Sequence, residues 1–562
     1  MASVPQLRQA DAARANDSRA SDAPASDSRA SDSRALRMMK AGGWALAAWL
    51  VLLAVFAVNG APLFYFDTAG YFDTGTKMLH VLGLFPPEGV GGVTGAAEAA
   101  PDGTVVGSRS AVYALIAATF LHLDALPALV LLQAALLVLA LHLVCRLVLA
   151  QTGGAAQTGR VALAWPATAA AALAGALGSA GFFTAYLMPD IFAALLLLSM
   201  AGLAAFAPDL RGGSALALLA LGALSVVLHL SHLAIALMAV PGVALACLAF
   251  GNRRWWLSVL LVALIAATGL VERRAFTFTV ETTTNEHVIY LPFFTARLIA
   301  DGPGKAYLDA TCPKAGADAT VVAHAMATCA LNEKLVRPEQ LAPDRILFAT
   351  SPEFGSYALL SAGQRRRISD EQRAFLQAVV TSRPLEVIAA ALGHTFAQVG
   401  LVSIDMTLAS PQMAESARRI YPGFPDSLTQ GRLTGENPTG EHLMAENLMA
   451  ENLMGGNWVV PLTRLHEVYY ALSGLALLAL LVLPQSRLPR RLRLFGVLVL
   501  LGIFANAFVT GAIAQPANRY GARVIFLIPV VLVLLLMARP VVRPVASPVA
   551  HPVASPGKEI RP

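Results

Sequence analysis

The feature that most constrains this chain is a succession of apolar blocks about 20 residues long, enough to cross a hydrocarbon core about 30 Å thick. They fall near 44–65, 126–149, 161–182, 190–207, 214–230, 233–250, 255–271, 463–483, 494–514 and 522–538. Inside a bilayer a helix satisfies its own backbone, so such blocks predict helices. Charged residues make up only 14% of the 562, against about 25% in soluble domains, and a single water-soluble globule is excluded. The expected fold is an all-α polytopic membrane protein, a bundle of about ten transmembrane helices. A further run, Ser110 to Leu123, holds about 14 residues, which suits an interfacial or re-entrant helix.

Charge sets the orientation. If the 110–123 run does not cross, Arg34, Arg37, Lys40, Arg146, Arg160, Arg211, Arg253, Arg254, Arg487 to Arg493 and Arg539 all fall on one face. The positive-inside rule then puts both termini in the cytoplasm. If the run crosses, the basic clusters disagree. The net charge of +6 sits in these short loops and along no binding face, so nucleic acid is not an expected partner. The expected partner is the lipid bilayer itself.

The segments follow from this. Residues 1–43 repeat Ser, Asp, Arg and Ala and predict a disordered cytoplasmic tail. Residues 44–271 form an N-terminal membrane module with its first outer loop, 272–462 a small extracytoplasmic domain, 463–538 the C-terminal helices, and 539–562 a Pro-rich cytoplasmic tail. The outer domain holds helix-like stretches at Asp370–Thr381 and Leu385–Val402, and a five-residue unit repeated between Glu441 and Gly455 reads as a tolerant loop. Cys145 and Cys247 lie in apolar runs, whereas Cys312 and Cys329 lie in the polar segment, where they form a disulfide or stay as two thiols.

On this topology nearly all candidate chemistry shares the outer face. The first outer loop reads Phe66-Asp67-Thr68-Ala69-Gly70-Tyr71-Phe72-Asp73, and Tyr71, Lys77, Leu79, His80 and Leu82 predict a short amphipathic helix. Asp67 and Asp73 each serve as an interfacial or capping charge or as a working carboxylate. Arg109 and Tyr113 lead into the short apolar run. Asp190, in Met188-Pro189-Asp190, is either a helix N-terminal anion or a second reactive carboxylate. His229, Ser231 and His232 occupy the next outer turn, where a histidine caps a helix or binds phosphate. Asn285, Glu286, His287, Tyr290, Arg297 and Asp301 form a polar run that contacts an acceptor or simply satisfies a loop. Arg519, Tyr520 and Arg523 precede the last span, and two arginines four apart share a helix face suited to phosphate oxygens.

The Asp67-x-x-x-Tyr71 loop after the first span, the interfacial helices and the Arg109-x-x-x-Tyr113 element together resemble the GT-C superfamily of membrane glycosyltransferases. These include the protein mannosyltransferases and the aminoarabinose transferases, which use polyprenyl-phosphate sugars. The resemblance covers roughly the first 270 residues. It implies a GT-C-like bundle in a bacterial inner membrane that moves a sugar from a polyprenyl phosphate to an envelope glycan, lipid or protein. It also implies Asp67 as catalytic base, Asp190 as a second carboxylate, and Tyr71, Asp73, Lys77, Arg109, His232, Arg519, Tyr520 and Arg523 around the substrate and its phosphate. Thr68 stands where many members carry Glu, so metal binding does not carry over. No cofactor is expected, the lipid-linked sugar being a substrate.

No Walker loop, HExxH helix, GxSxG elbow or paired CxxC is present, which removes the common soluble nucleotide, protease and hydrolase chemistries. A lipid-linked substrate transporter predicts charged residues along the pore. The spans instead carry no Asp or Glu near mid-depth, and His142, Asn506 and Thr510 are their clearest polar insertions. A non-catalytic envelope scaffold remains the other alternative.

Overall fold

The apolar runs fold as helices, and where polar or small residues interrupt them the helices break. The computed structural model describes residues 23–84, 99–100, 104–151, 163–284, 286–313, 325–433 and 458–539. Arg160, Asn285, the 441–455 repeat, the first part of the N-terminal tail and the Pro-rich tail from 540 lie outside them.

Helix α1 (Ala23–Leu52) begins upstream of the first apolar run, and α2 (Ala54–Asn59) ends at Gly60, whose φ of 78° closes the helix in a left-handed turn. Helix α3 (Phe66–Val81) covers the stretch expected as a short amphipathic helix, but it is largely buried, with Thr68–Asp73, Gly75, Thr76 and Leu79 all enclosed. Strands β1 (Ala99–Ala100) and β2 (Thr104–Val106) follow, then α4 (Ala111–His122). Twelve residues rise about 18 Å, well short of a bilayer core. The run at 110–123 is therefore a short helix, and it packs on α3.

Helices α5 (Leu126–Ala150), α6 (Ala164–Ala176), α7 (Ala180–Ala185), α8 (Ile191–Phe206), α9 (Gly212–Val227), α10 (Leu230–Ala249) and α11 (Trp255–Thr283) complete the first module. The C-terminal group is α20 (Val459–Val482), α21 (Arg490–Phe508) with a π-helical extension Val509–Ala514, α22 (Asn518–Ile525) and α23 (Leu527–Met537); α12 to α19 lie between.

Among the described residues seven segments are long and apolar enough to cross a membrane: Leu126–Ala150, Ile191–Asp209, Leu230–Ala249, Trp255–Thr283, Val459–Val482, Arg490–Ala514 and Asn518–Met537. The protein is an all-α polytopic membrane protein. The remaining expected spans are shorter: Met38–Leu52 and Gly212–Val227 are apolar but brief, and the 161–182 run divides into α6 and α7. The break is built in. Ser179 donates to the carbonyl of Ala522, Tyr470 donates to Ser179, and Gln133, buried inside α5, donates to the carbonyls of Thr184 and Tyr186. At the break itself the Tyr470 hydroxyl accepts from the Ser179 backbone N–H, and Gln133 serves the carbonyls at the other end of α7.

The segment between the two groups of apolar helices begins with β3 (His287–Ile289), parallel to β2, and continues through α12 (Phe293–Ala300), α13 (Pro303–Thr311), α14 (Thr328–Asn332) and α15 (Pro343–Phe348) to the long α16 (Ala362–Ser382). These build their own core from Leu298, Ile299, Leu308, Leu331, Ile346 and Phe375. A Cys312–Cys329 disulfide closes one side, with Cα atoms 5.5 Å apart, deciding between the two states left open by the sequence. Helix α17 (Pro384–Gly400) turns by 108° from α16 and lies against α21 and the π-helical extension. From Val402 onward the chain leaves this second core: Ile404, Leu408, α18 (Pro411–Ile420), Tyr421, Phe424 and α19 (Asp426–Thr429) pack into the membrane module's core instead.

Candidate functional site

Asp67 is the second residue of α3, and the residues around it fix its position. Tyr65 precedes the helix and its backbone N–H donates to Thr68 Oγ1 at 3.0 Å, while the Thr68 hydroxyl donates to the carbonyl of Leu187 at 3.2 Å. Thr68 thus works as a cap and a tether to the 186–190 turn, a role that Leu63 reinforces by pairing with Tyr186. A helix N-terminus favours an anion at Asp67.

Arg109 reaches this anion from a separate anchor. Strand β2 runs into Gly107, whose N–H donates to the carbonyl of Ile289, and Ser108 accepts from the N–H of Leu291. Ser110 then caps α4, accepting from the N–H of Tyr113 at 3.1 Å and donating to the carbonyl of Val227. Held at both ends, Arg109 donates to Asp67 Oδ1 at 3.0 Å. Gly70 lets it approach, since a Cβ there would sit 2.6 Å from the Arg109 guanidinium carbon.

Arg519 closes the other side. After the π-helical extension the chain runs extended to Ala517, which exchanges hydrogen bonds with the Gln398 side chain of α17, and Asn518 donates to Asp405 at 3.0 Å. Arg519 Nη1 then lies 3.3 Å from Asp67 Oδ2, with its guanidinium over the rings of Tyr65 (4.8 Å) and Tyr520 (4.9 Å). Its Nε is buried with no hydrogen-bond partner among the described residues. Asp67 therefore sits between two guanidiniums brought from distant parts of the chain, and its side chain keeps 23% exposure. Burial opposes the charged form, but Arg109 and Arg519 outweigh it and hold the Asp67 carboxyl below the usual carboxylate range.

Arg523, one turn later, faces inward. It lies 3.2 Å from Asp190 Oδ1, donates to Asn506 Oδ1, and reaches Ser231 Oγ at 3.1 Å. Arg523 and Asp190 are both fully buried, and Asp190 Oδ2 has no partner among the described residues. The arginines expected to share one phosphate-binding face thus divide between two carboxylates, with Tyr520 between their guanidiniums. Asp190 belongs to a buried ion pair beneath the site.

The remaining expected residues separate. Tyr71 is buried and packs edge-on against Tyr113 at 5.0 Å, and Lys77 pairs with Asp73 at 2.6 Å along α3. His232 is buried, its Nδ1 2.8 Å from the carbonyl of Ser225. His229 caps α10 and lines, with Arg109, Glu272 and Arg273, a cavity of about 30 Å³, room for a water. Arg297, Asp301 and His394 form a separate cluster that joins α12 to α17.

Sequence reasoning missed Asp405, Gln398 and Gly70. Asp405 lies among apolar residues, between Ile404 and Met406, and burial pushes its carboxyl above the usual range despite hydrogen bonds from Met406 and Asn518. Among the described residues no group of three or more His, Cys, Asp or Glu converges as metal ligands. No family model, no curated protein and no solved structure matches this chain.

Proposed function

We propose that this protein is a GT-C-like glycosyltransferase of a bacterial plasma membrane, with ten crossings, both termini cytoplasmic, and its reaction at the outer leaflet. The observation that carries the reading is Asp67, a partly exposed carboxylate held between Arg109 and Arg519 at the helix ends that face the outer segment. Two guanidiniums on one carboxylate make an anion site whose present occupant is the protein's own side chain. A polyprenyl-phosphate sugar carries a competing anion.

On binding, its phosphate takes the donors of Arg109 and Arg519, which match phosphate oxygens bidentately. Asp67 loses two positive neighbours and becomes more basic. It then accepts the proton of the acceptor hydroxyl as that oxygen attacks the anomeric carbon. The bond from that carbon to the phosphate oxygen breaks, and its electron pair leaves on the polyprenyl phosphate, held by the same arginines. The base is armed only when donor is present, which protects the donor from premature attack by water. Asp190 and Arg523 support Arg519 from below.

The test is mass spectrometry of envelope glycolipids and polysaccharides from a deletion strain complemented with wild type or with Asp67→Asn at equal membrane abundance. Loss of one sugar-sized mass, restored by wild type alone, is the expected result. Full restoration by Asp67→Asn removes the base. An unchanged glycan profile in the deletion strain favours a scaffold or a transporter.

A further inference from the structure

The end of the bundle opposite Asp67 carries a second anion-binding arrangement. The turn between α10 and α11, the end of α8 and the start of α21 meet there around a cavity of about 580 Å³ lined by Arg253, Arg254, Arg490, Arg491 and Asp209. Gly251, with φ of 65°, turns the chain sharply and lies against the Arg490 guanidinium, 4.0 Å from where a Cβ would stand. Asp209, the single carboxylate in the lining, already accepts from Arg491 and from Gln151. Among the described residues no carboxylate pairs with Arg253, Arg254 or Arg490. The positive-inside rule accounts for the sign of these residues but not for four of them converging on one concavity.

Depth identifies the occupant. Trp255 and Trp256 begin α11 beside the cavity and are 38% and 56% exposed, and indole rings settle at the headgroup level of a bilayer. A basic concavity between membrane helices at that level fits a phosphate-bearing headgroup. We infer that this arginine bowl binds the phosphodiester of an anionic membrane lipid, of the phosphatidylglycerol type, as a resident lipid site separate from the reaction at the other end.

The test uses the full chain in nanodiscs of phosphatidylcholine with a minor fraction of phosphatidylglycerol, with co-purifying lipid counted by native mass spectrometry. The comparison is with a variant carrying Arg253→Lys, Arg254→Lys and Arg490→Lys, which keeps every topogenic charge while removing the planar guanidinium forks. Wild type is expected to enrich phosphatidylglycerol about tenfold over bulk, and the lysine variant about threefold or less. Equal enrichment in both overturns the site, since charge alone then suffices. In a second arm, lipid-depleted protein in detergent is warmed with inorganic phosphate or with phosphatidylglycerol. A rise in Tm with the lipid alone supports the proposal, and an equal rise with inorganic phosphate overturns the lipid as occupant. A lysine variant that fails to fold is replaced by Arg490→Lys alone, read in the same assay.

Discussion

Asp67 and Asp190 are both carboxylates paired with arginine, yet their environments give them opposite tasks. Asp190 is fully buried with Arg523, so removing its charge leaves a guanidinium without compensation inside the bundle. Asp190→Asn is expected to destabilise the protein by about 3–5 kcal/mol, read as a fall in Tm of the purified protein. Asp67→Asn, at a partly open position, is expected to lower Tm by less than Asp190→Asn and to lower transfer at least 100-fold in a donor-dependent assay. A matching loss of Tm in the two variants would contradict this division. Because the Asp67 carboxyl is held low in the folded state, its contribution to stability is complete above its unfolded value of about 4 and is lost as pH falls through the lower folded value. Replacing Arg109 by Gln removes one stabilising charge, so the acid limb of the activity profile should move to higher pH. Asp67, Arg109, Arg519 and Arg523 were legible in the sequence as polar residues next to apolar runs. Their pairing was not, because which arginine meets which carboxylate depends on contacts across as many as 452 residues.

The α3–α4 pair shows what an element contributes to such a site. The two helices approach so closely that a Cβ at Gly75 would run into the carbonyl of Ala114, backbone that cannot swing aside. Gly75→Ala is expected to cost about 1–3 kcal/mol and to reduce folded protein in the membrane. Gly70→Ala faces only the movable end of Arg109, so it should spare stability and lower activity by displacing that guanidinium. Thermal melts and transfer rates on the two variants separate these effects. The helix-like stretches at Asp370–Thr381 and Leu385–Val402 match α17 closely but only the second half of α16, which begins at Ala362, and the short length of α4 was readable from its composition. The break between α6 and α7 was not, since Gly178 and Ser179 sit in an apolar run whose hydropathy continues across them; what breaks it is Tyr470, donated from the far end of the chain.

For the whole molecule, the segment with its own core acts as a clasp as well as a domain. Residues 398–405 hold the extended segment before Arg519, β3 holds the strand before Arg109, and the Cys312–Cys329 bond consolidates the core from which β3 and α17 extend. Replacing both cysteines by serine is expected to remove roughly 3 kcal/mol, visible as a lower Tm under oxidising conditions only. The orientation is checked by cysteine labelling from outside intact cells: Glu286→Cys is expected to react and Asn252→Cys is not. The membrane character was legible from hydropathy, and so was the presence of a separate polar segment between the two groups of apolar helices. The docking of residues 402–433 onto the membrane module was not, because their apolar residues do not say in sequence which of the two cores they join. Helix α8 carries a different consequence. Nearly all of it is buried, enclosed by α5, α9, α10, α11, α21 and α22, although its sequence is as greasy as any lipid-facing helix. That greasiness suits a helix that enters lipid while the C-terminal helices that will help enclose it are still unmade. The finished bundle then forms by exchange of lipid for protein around a helix already in place, so a chain stalled before α20 would remain inserted and stay incomplete.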